Sequence, residues 1–210
     1  IHHDTIGYNE ASDISYMMNS SFNEFAQFPH RDLYQATTAH ELQATNVWMA
    51  PLMIHGVYRC GFAKTQEQYQ VALSNLCAAF DRADTILQKQ RFLTGDRLTD
   101  ADLRLFVSLV RFDEVYAVYF KANARLVVLT PALLQYCRDI YHLPGLAETV
   151  QMDHIKSHFY ASHAEWNKYS IVPAGLNFLQ QLQERPVGRA ELSNTPDDVF
   201  CDVGPGEVEV

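Results

Sequence analysis

Basic charge is scarce in this chain of 210 residues: 16 Lys and Arg stand against 25 Asp and Glu, for a formal net charge of −9. No cationic stripe appears. That argues against a nucleic-acid partner, because binders of a phosphate backbone concentrate Lys and Arg on one face. Long apolar runs are also missing, and none approaches the roughly twenty residues that a bilayer span needs. The opening residues, IHHDTIGYNE, lack the apolar core of a signal peptide, so a soluble chain is expected. Only four cysteines occur, Cys60, Cys77, Cys137 and Cys201, and no two form a Cys-x-x-Cys pair. Such scatter favours free thiols over a disulfide framework or a zinc site, and it fits a reducing intracellular compartment. Convincing strands are few: RLVVLT (125–130) is the one short candidate. No internal repeat is visible.

What is present is apolar and helical in pattern. With 48% apolar and 12% aromatic residues the chain can bury a sizeable core. Residues 37–54 read as a helix kinked by Pro51, with Trp48, Leu52 and Met53 buried and Gly56 marking a break. Tyr69, Ala72, Leu73, Leu76, Phe80, Ala83 and Leu87 recur at helical spacing and draw one apolar stripe. In GDRLTDADLRLF (95–106), Thr99 as N-cap and Asp102 three residues on form a capping-box-like pair, so a helix should start at Asp100. Its apolar positions exceed one stripe, which makes it the expected central helix. Pro131 opens a further helix that Pro144-Gly145 ends, and a short one is expected over 176–183. Residues 184–210 carry seven acidic side chains against two arginines. This acidic tail is expected to be extended and to be ordered only against a partner.

HIKSHFYASH (154–163) gathers His154, His158 and His163 with Phe159 and Tyr160. On a helix, His154 and His158 stand one above the other and His163 points to the far side. A three-histidine metal cage on one helix is therefore not expected, and no flanking Cys, Asp or Glu completes a zinc set, so no metal is assigned. Histidines hydrogen-bonded at a helix end remain the plainer reading.

Several segments then converge on one family. NEAS (9–12), WMAPLMIHGVYRCGFAKTQEQY (48–69), FLTGDRLTDADLRLFVSLVRFDEVYAVYFKAN (92–123), LPGLAETVQMDHIKSHFYASH (143–163) and IVPAG (171–175) resemble, in order and spacing, the glutathionyl-hydroquinone reductases, the omega-like Xi class of glutathione transferases. The resemblance covers about residues 6–175 and implies an all-α glutathione-transferase C-terminal bundle over 37–175. Residues 1–36 match only the end of a thioredoxin-like domain and its linker, and 176–210 form the tail. The family's thioredoxin-like domain carries a Cys-Pro-Trp motif whose cysteine takes the glutathionyl group. None of the four cysteines here sits in a Cys-Pro context, so no catalytic residue is assigned.

For the ligand sites the resemblance implies glutathione at Glu10 and Ala11, and the acceptor at Tyr58, Phe159 and Tyr160. Glu10 suits the ammonium of the γ-glutamyl group, although a glutamate near a helix start is also favoured by the macrodipole alone. Ala11 stands where the family has serine, a loss on the order of 1 kcal/mol of hydrogen bonding. Tyr58 matches a phenol facing the hydroquinone; without the resemblance it reads as a core tyrosine. Phe159 stands where the family has a second tyrosine, and Tyr160 is turned about 100° away along a helix. Ala122 and Leu176 are further departures. Cys60 is expected to be a small buried hydrophobe. The function expected is glutathione-dependent reduction of glutathionyl-hydroquinones, with the nucleophile missing from this chain. The competing expectation is a non-catalytic binding or structural subunit, its bundle and acidic tail serving assembly. Family members dimerise, so the resemblance implies a homodimer or larger complex.

Overall fold

The computed structural model describes residues 9–195 and 199–202. Helix α1 (Ala11–Ser20) leads through a loop to the two-residue strand β1 (Arg31–Asp32), and α2 (Ala39–Met49), α3 (Gly56–Gly61) and α4 (Gln66–Leu87) come next. Then come α5 (Asp100–Arg111), α6 (Ala117–Tyr119), α7 (Pro131–Tyr141), α8 (Met152–Ala161) and α9 (Phe178–Gln183). The last described element, β2 (Cys201–Asp202), pairs antiparallel with β1, Arg31 opposite Asp202. The all-α expectation holds: RLVVLT is not a strand but holds a single helical turn at Val127–Leu129 before Pro131 opens α7.

Helix α5 starts at Asp100, as its capping pair dictates. The Asp102 carboxylate accepts from the Thr99 N–H at 3.0 Å and the Thr99 hydroxyl at 2.9 Å, and from the Leu93 N–H at 2.8 Å and the Tyr136 hydroxyl at 3.0 Å. One buried group thus fixes the start of α5, the turn before it and the side of α7. Burial raises the carboxyl's pKa even against these four donors. Beyond the cap, Leu105, Phe106, Leu109, Val110 and Phe112 are all buried, so the helix is covered on more than one side and forms the centre of the bundle.

Pro51 does not kink one continuous helix. It lies in a wide π-helical turn, Ala50–Ile54, in which the His55 N–H donates to the Ala50 carbonyl at 2.9 Å. The break expected at Gly56 is the boundary where α3 begins, after a turn at His55, with the Leu76 side chain of α4 3.4 Å from where a Cβ would stand.

A second π-helical turn, Phe112–Tyr116, ends α5 and buries two carboxylates side by side in the chain. Asp113 accepts from the Val127 and Val128 N–H groups at 2.8 and 2.9 Å, holding the turn before α7. Glu114 reaches the other way. Its carboxylate accepts from Lys156 Nζ of α8 at 3.0 Å and from the Phe178 N–H at the start of α9 at 2.7 Å, while Lys156 also donates to the Ala174 carbonyl at 2.6 Å. The strap 171–177 is thereby clamped over α8. Gly175 sits in it at φ +78°, and a Cβ there would come within 1.7 Å of Glu114 Oε2.

The acidic tail corrects the sequence reading as far as it is described. Residues 184–195 lie against α7, the end of α4 and the loop after it, and residues 199–202 against the loop before α5 and strand β1. Arg138 pairs with Glu184 and donates to the Gln181 carbonyl at 2.8 Å. Arg189 is buried at the C-terminal end of α4, where its guanidinium donates to the carbonyls of Leu87, Gln90 and Arg91. A cation suits those unsatisfied carbonyls. Farther on, the Leu98 N–H donates to the Val199 carbonyl at 2.9 Å, and the Arg31 guanidinium lies 4.4 Å from the Phe200 ring centre. Residues 203–210, with Glu207 and Glu209, lie outside the described set.

Two substitutions test this framework. Asp102→Ala leaves the buried Leu93 and Thr99 N–H groups without their acceptor and the Tyr136 hydroxyl with only the carbonyl of residue 102, and is expected to destabilise by about 3–4 kcal/mol in urea unfolding. Gly175→Ala meets both the carboxylate and a disfavoured φ, and about 2–4 kcal/mol is expected, with the strap becoming the first site of proteolytic nicking.

Candidate functional site

Tyr58, Phe159 and their neighbours converge on one aromatic cavity of about 390 Å³. Helix α3 brings Tyr58, whose ring packs 5.0 Å from Phe120 and 5.9 Å from Tyr116. The π-helical turn 112–116 inserts an extra residue per turn and so rotates the helix beyond it, carrying Tyr116, Tyr119 and Phe120 to the same side. Gly61 is required by that arrangement, because a Cβ would stand 2.1 Å from the Phe120 ring. Helix α8 supplies Phe159, edge-on to Tyr116 at 5.7 Å and to Tyr119 at 6.0 Å.

The end of HIKSHFYASH departs from the helical extrapolation. Helix α8 stops at Ala161, and the chain turns back through Trp166 and Asn167, whose N–H groups both donate to the His163 carbonyl. Asn167 Nδ2 locks the turn by donating to the Tyr160 and Ile171 carbonyls at 2.7 and 2.9 Å. His163 therefore does not point away: its ring centre lies 6.1 Å from that of His158, and its Nδ1 is 3.1 Å from the Tyr119 hydroxyl. Trp166 stacks on Tyr119 at 5.9 Å and 18° and meets Phe62 edge-on. Among the described residues, no group of three or more His, Cys, Asp or Glu is placed to hold a metal ion.

Tyr160 behaves differently from Phe159. Its hydroxyl donates inward to the Glu114 carbonyl at 3.0 Å, and burial pushes its pKa up to about 12. Only the flank of its ring reaches a second cavity of about 610 Å³, which adjoins the first through Tyr119, Glu165 and Trp166. Burial also raises the Tyr116 pKa, with the neighbouring Tyr58 adding to the shift. Both phenols stay protonated at neutral pH. Ala122 is buried under Tyr116 and lines neither cavity.

Glu10 and Ala11 line a separate groove of about 370 Å³ with Ser15, His55, Asp100 and Arg104. Glu10 is exposed and extended before α1, and its carboxylate makes no capping bond. Below it, the Ser15 hydroxyl donates to Asp100 at 2.7 Å and Arg104 stands 3.9 Å from the same carboxylate. His55 in this groove and Tyr58 in the aromatic cavity are three residues apart, at the start of α3 and one turn along it. Cys60 is buried on that helix. Its thiol is pushed up to about 11 by burial, with the Cys77 thiol adding to the shift, and burial also raises Cys77 and Cys137. These are the opposite of an activated nucleophile.

Residues 66–139 match the family model described as glutathione S-transferase, C-terminal domain. The chain is 37% identical over 171 residues to the glutathionyl-hydroquinone reductase YqjG of Escherichia coli K12, covering 81% of this chain and 52% of that protein. It is 38% identical over 167 residues to the glutathionyl-hydroquinone reductase PcpF of Sphingobium chlorophenolicum, covering 80% and 53%. The glutathione-bound structure of YqjG superposes with a TM-score of 0.80, over 88% of this chain and 59% of that one at 37% identity. A Xi class GST from Natrialba magadii gives 0.82 at 40% identity over 90% and 56%. A solved structure from Corynebacterium glutamicum gives 0.84 at 34% identity over 96% and 67%. The chain spans about half the length of the curated relatives it matches.

Thiol labelling tests the reading of Cys60. With its pKa raised from 9.0 to about 11, alkylation at pH 8 is expected to run about a hundredfold slower than for an ordinary thiol and to accelerate up to pH 11. Rapid modification of Cys60 at pH 7 would contradict it.

Proposed function

The chain belongs to the glutathionyl-hydroquinone reductases, the Xi-class glutathione transferases, chiefly as their helical C-terminal domain, and on that premise we propose that it is the acceptor-binding part of such a reductase. The aromatic cavity takes the hydroquinone ring and the Glu10–Ala11 groove takes the γ-glutamyl end of glutathione. One observation carries the reading: Tyr58, Phe120, Phe159 and Trp166 close on a cavity of about 390 Å³, within the range that small aromatic ligands fill. Face and edge contacts hold such a ring, and the Tyr58 phenol meets its oxygen.

The nucleophile lies outside this chain in the proposal. A thiolate from a Cys-Pro motif attacks the glutathione sulfur; the ring carbon–sulfur bond breaks, the ring carbon takes a proton, and hydroquinone leaves. A second glutathione then resolves the mixed disulfide, so the two thiols are oxidised as the ring is reduced. The raised thiol pKa values of Cys60, Cys77 and Cys137 support assigning the attack elsewhere. Apolar side chains left open at Tyr16, Met18 and Phe25 support a thioredoxin-like domain covering α1 and the loop after it. A reducing compartment suits free thiols. Dimerisation remains an expectation from the family.

A second reading, a non-catalytic binding or structural subunit, is favoured by Ala11 and Phe159, where two ligand-facing hydroxyls of the family are absent. Calorimetry with glutathione and turnover of glutathionyl-menadiol separate the two. For the reductase part, glutathione binds weakly at millimolar concentration, Glu10→Gln weakens it about tenfold, and this chain alone releases no menadiol. No heat with glutathione retires the first reading; menadiol release by the chain alone retires the external nucleophile.

A further inference from the structure

Resting on that reading of the aromatic cavity, we propose that Tyr119 and His163 together form its oxygen-recognition group, in place of the phenol absent at Phe159. The Tyr119 hydroxyl lies 3.1 Å from His163 Nδ1, and both side chains line the cavity with Phe159 and Tyr58. The Phe159 ring meets the Tyr119 ring edge-on at 6.0 Å, and the two wall the same cavity. Trp166, itself in the cavity wall, stacks on Tyr119, and Tyr160 meets it edge-on at 5.4 Å. Tyr119 is thus held by rings on several sides with its hydroxyl committed to a single protein partner.

A phenol can donate or accept by itself; the histidine gives it a fixed protein partner in either role. A neutral imidazole has one donor and one acceptor nitrogen, and which is Nδ1 depends on the tautomer. When Nδ1 accepts, Tyr119 donates to it, and the phenol oxygen is left to accept from a hydroxyl of a hydroquinone. When Nδ1–H donates, the phenol proton is free to point at the carbonyl of a quinone. One site then serves both oxidation states of the ring at the same oxygen, with no net change of charge in the protein. The ligand class implied is an aromatic bearing a phenolic or quinone oxygen, not an aromatic hydrocarbon. Tyr119 is the contacting residue and His163 the positioning one.

Equilibrium dialysis of the chain under anaerobic conditions, with menadione, menadiol and naphthalene as probes, tests this. Wild-type protein should bind all three. Tyr119→Phe should weaken menadione and menadiol about tenfold each while leaving naphthalene within about twofold. His163→Phe, which keeps a ring but neither nitrogen, should weaken both quinoid probes a few-fold, because the phenol loses its fixed partner in either role, and should leave naphthalene within about twofold. Adding Phe159→Tyr to Tyr119→Phe should recover most of the lost binding. Equal weakening of all three probes by Tyr119→Phe means a packing role, and no weakening of any means no role; either overturns the pair. Failure of the wild-type chain to bind any probe overturns instead the acceptor-cavity reading beneath it.

Discussion

The site depends on one buried carboxylate. Glu114 is held at the π-helical turn after α5, and from there it ties down α8 through Lys156, the start of α9 through the Phe178 N–H, and the intervening strap through the lysine's second bond. Removing either charge would leave the other buried without its counterion, which costs far more than the pair's net contribution to stability. The arrangement is therefore less a source of free energy than a geometrical constraint: it fixes where α8 lies against the π-helical turn after α5, and with it the distance from Phe159 to Tyr116 and Tyr119. Asp113, one residue earlier, does the same for the approach to α7. Neither group touches a ligand cavity, yet both set its walls.

Much of this is legible in the sequence wherever the controlling chemistry is local. The Thr99–Asp102 pair, the apolar stripe ending at Leu87 and the proline opening α7 each announce an element within a few residues of themselves, and each element is where that chemistry places it. The misreadings share another cause. Pro51 is compatible with a kink or with a π-helical turn, and packing against α4 and α5 decides between them. The acidic tail looks partnerless because Arg189, one basic residue among many acidic ones, carries no sign that it will meet the open carbonyls of a helix a hundred residues earlier. Net charge averages over such a residue, whereas a single buried guanidinium with several acceptors outweighs a diffuse surface charge.

The ligand side shows a similar division. The family resemblance points to Tyr58 and Phe159, and both line the aromatic cavity. The grouping of Tyr116, Tyr119, His163 and Trp166 escapes the sequence, although RFDEVYAVYF and the histidine-rich stretch both stand out in it. Their meeting needs an inserted residue in one helix and an early stop in another, two events that periodicity counted at 3.6 residues per turn does not represent. A pair of aromatics next to a run of Asp-Glu is the available signal, since adjacent buried carboxylates are hard to place on a regular helix.

The β1–β2 pair has a topological consequence. Arg31–Asp32 and Cys201–Asp202 lie side by side, so the helical bundle between them is a closed circuit, sealed by two short strands and the Arg31–Phe200 contact instead of a covalent link. A chain whose entry and exit points coincide is the kind of unit that tolerates circular permutation and insertion into another protein.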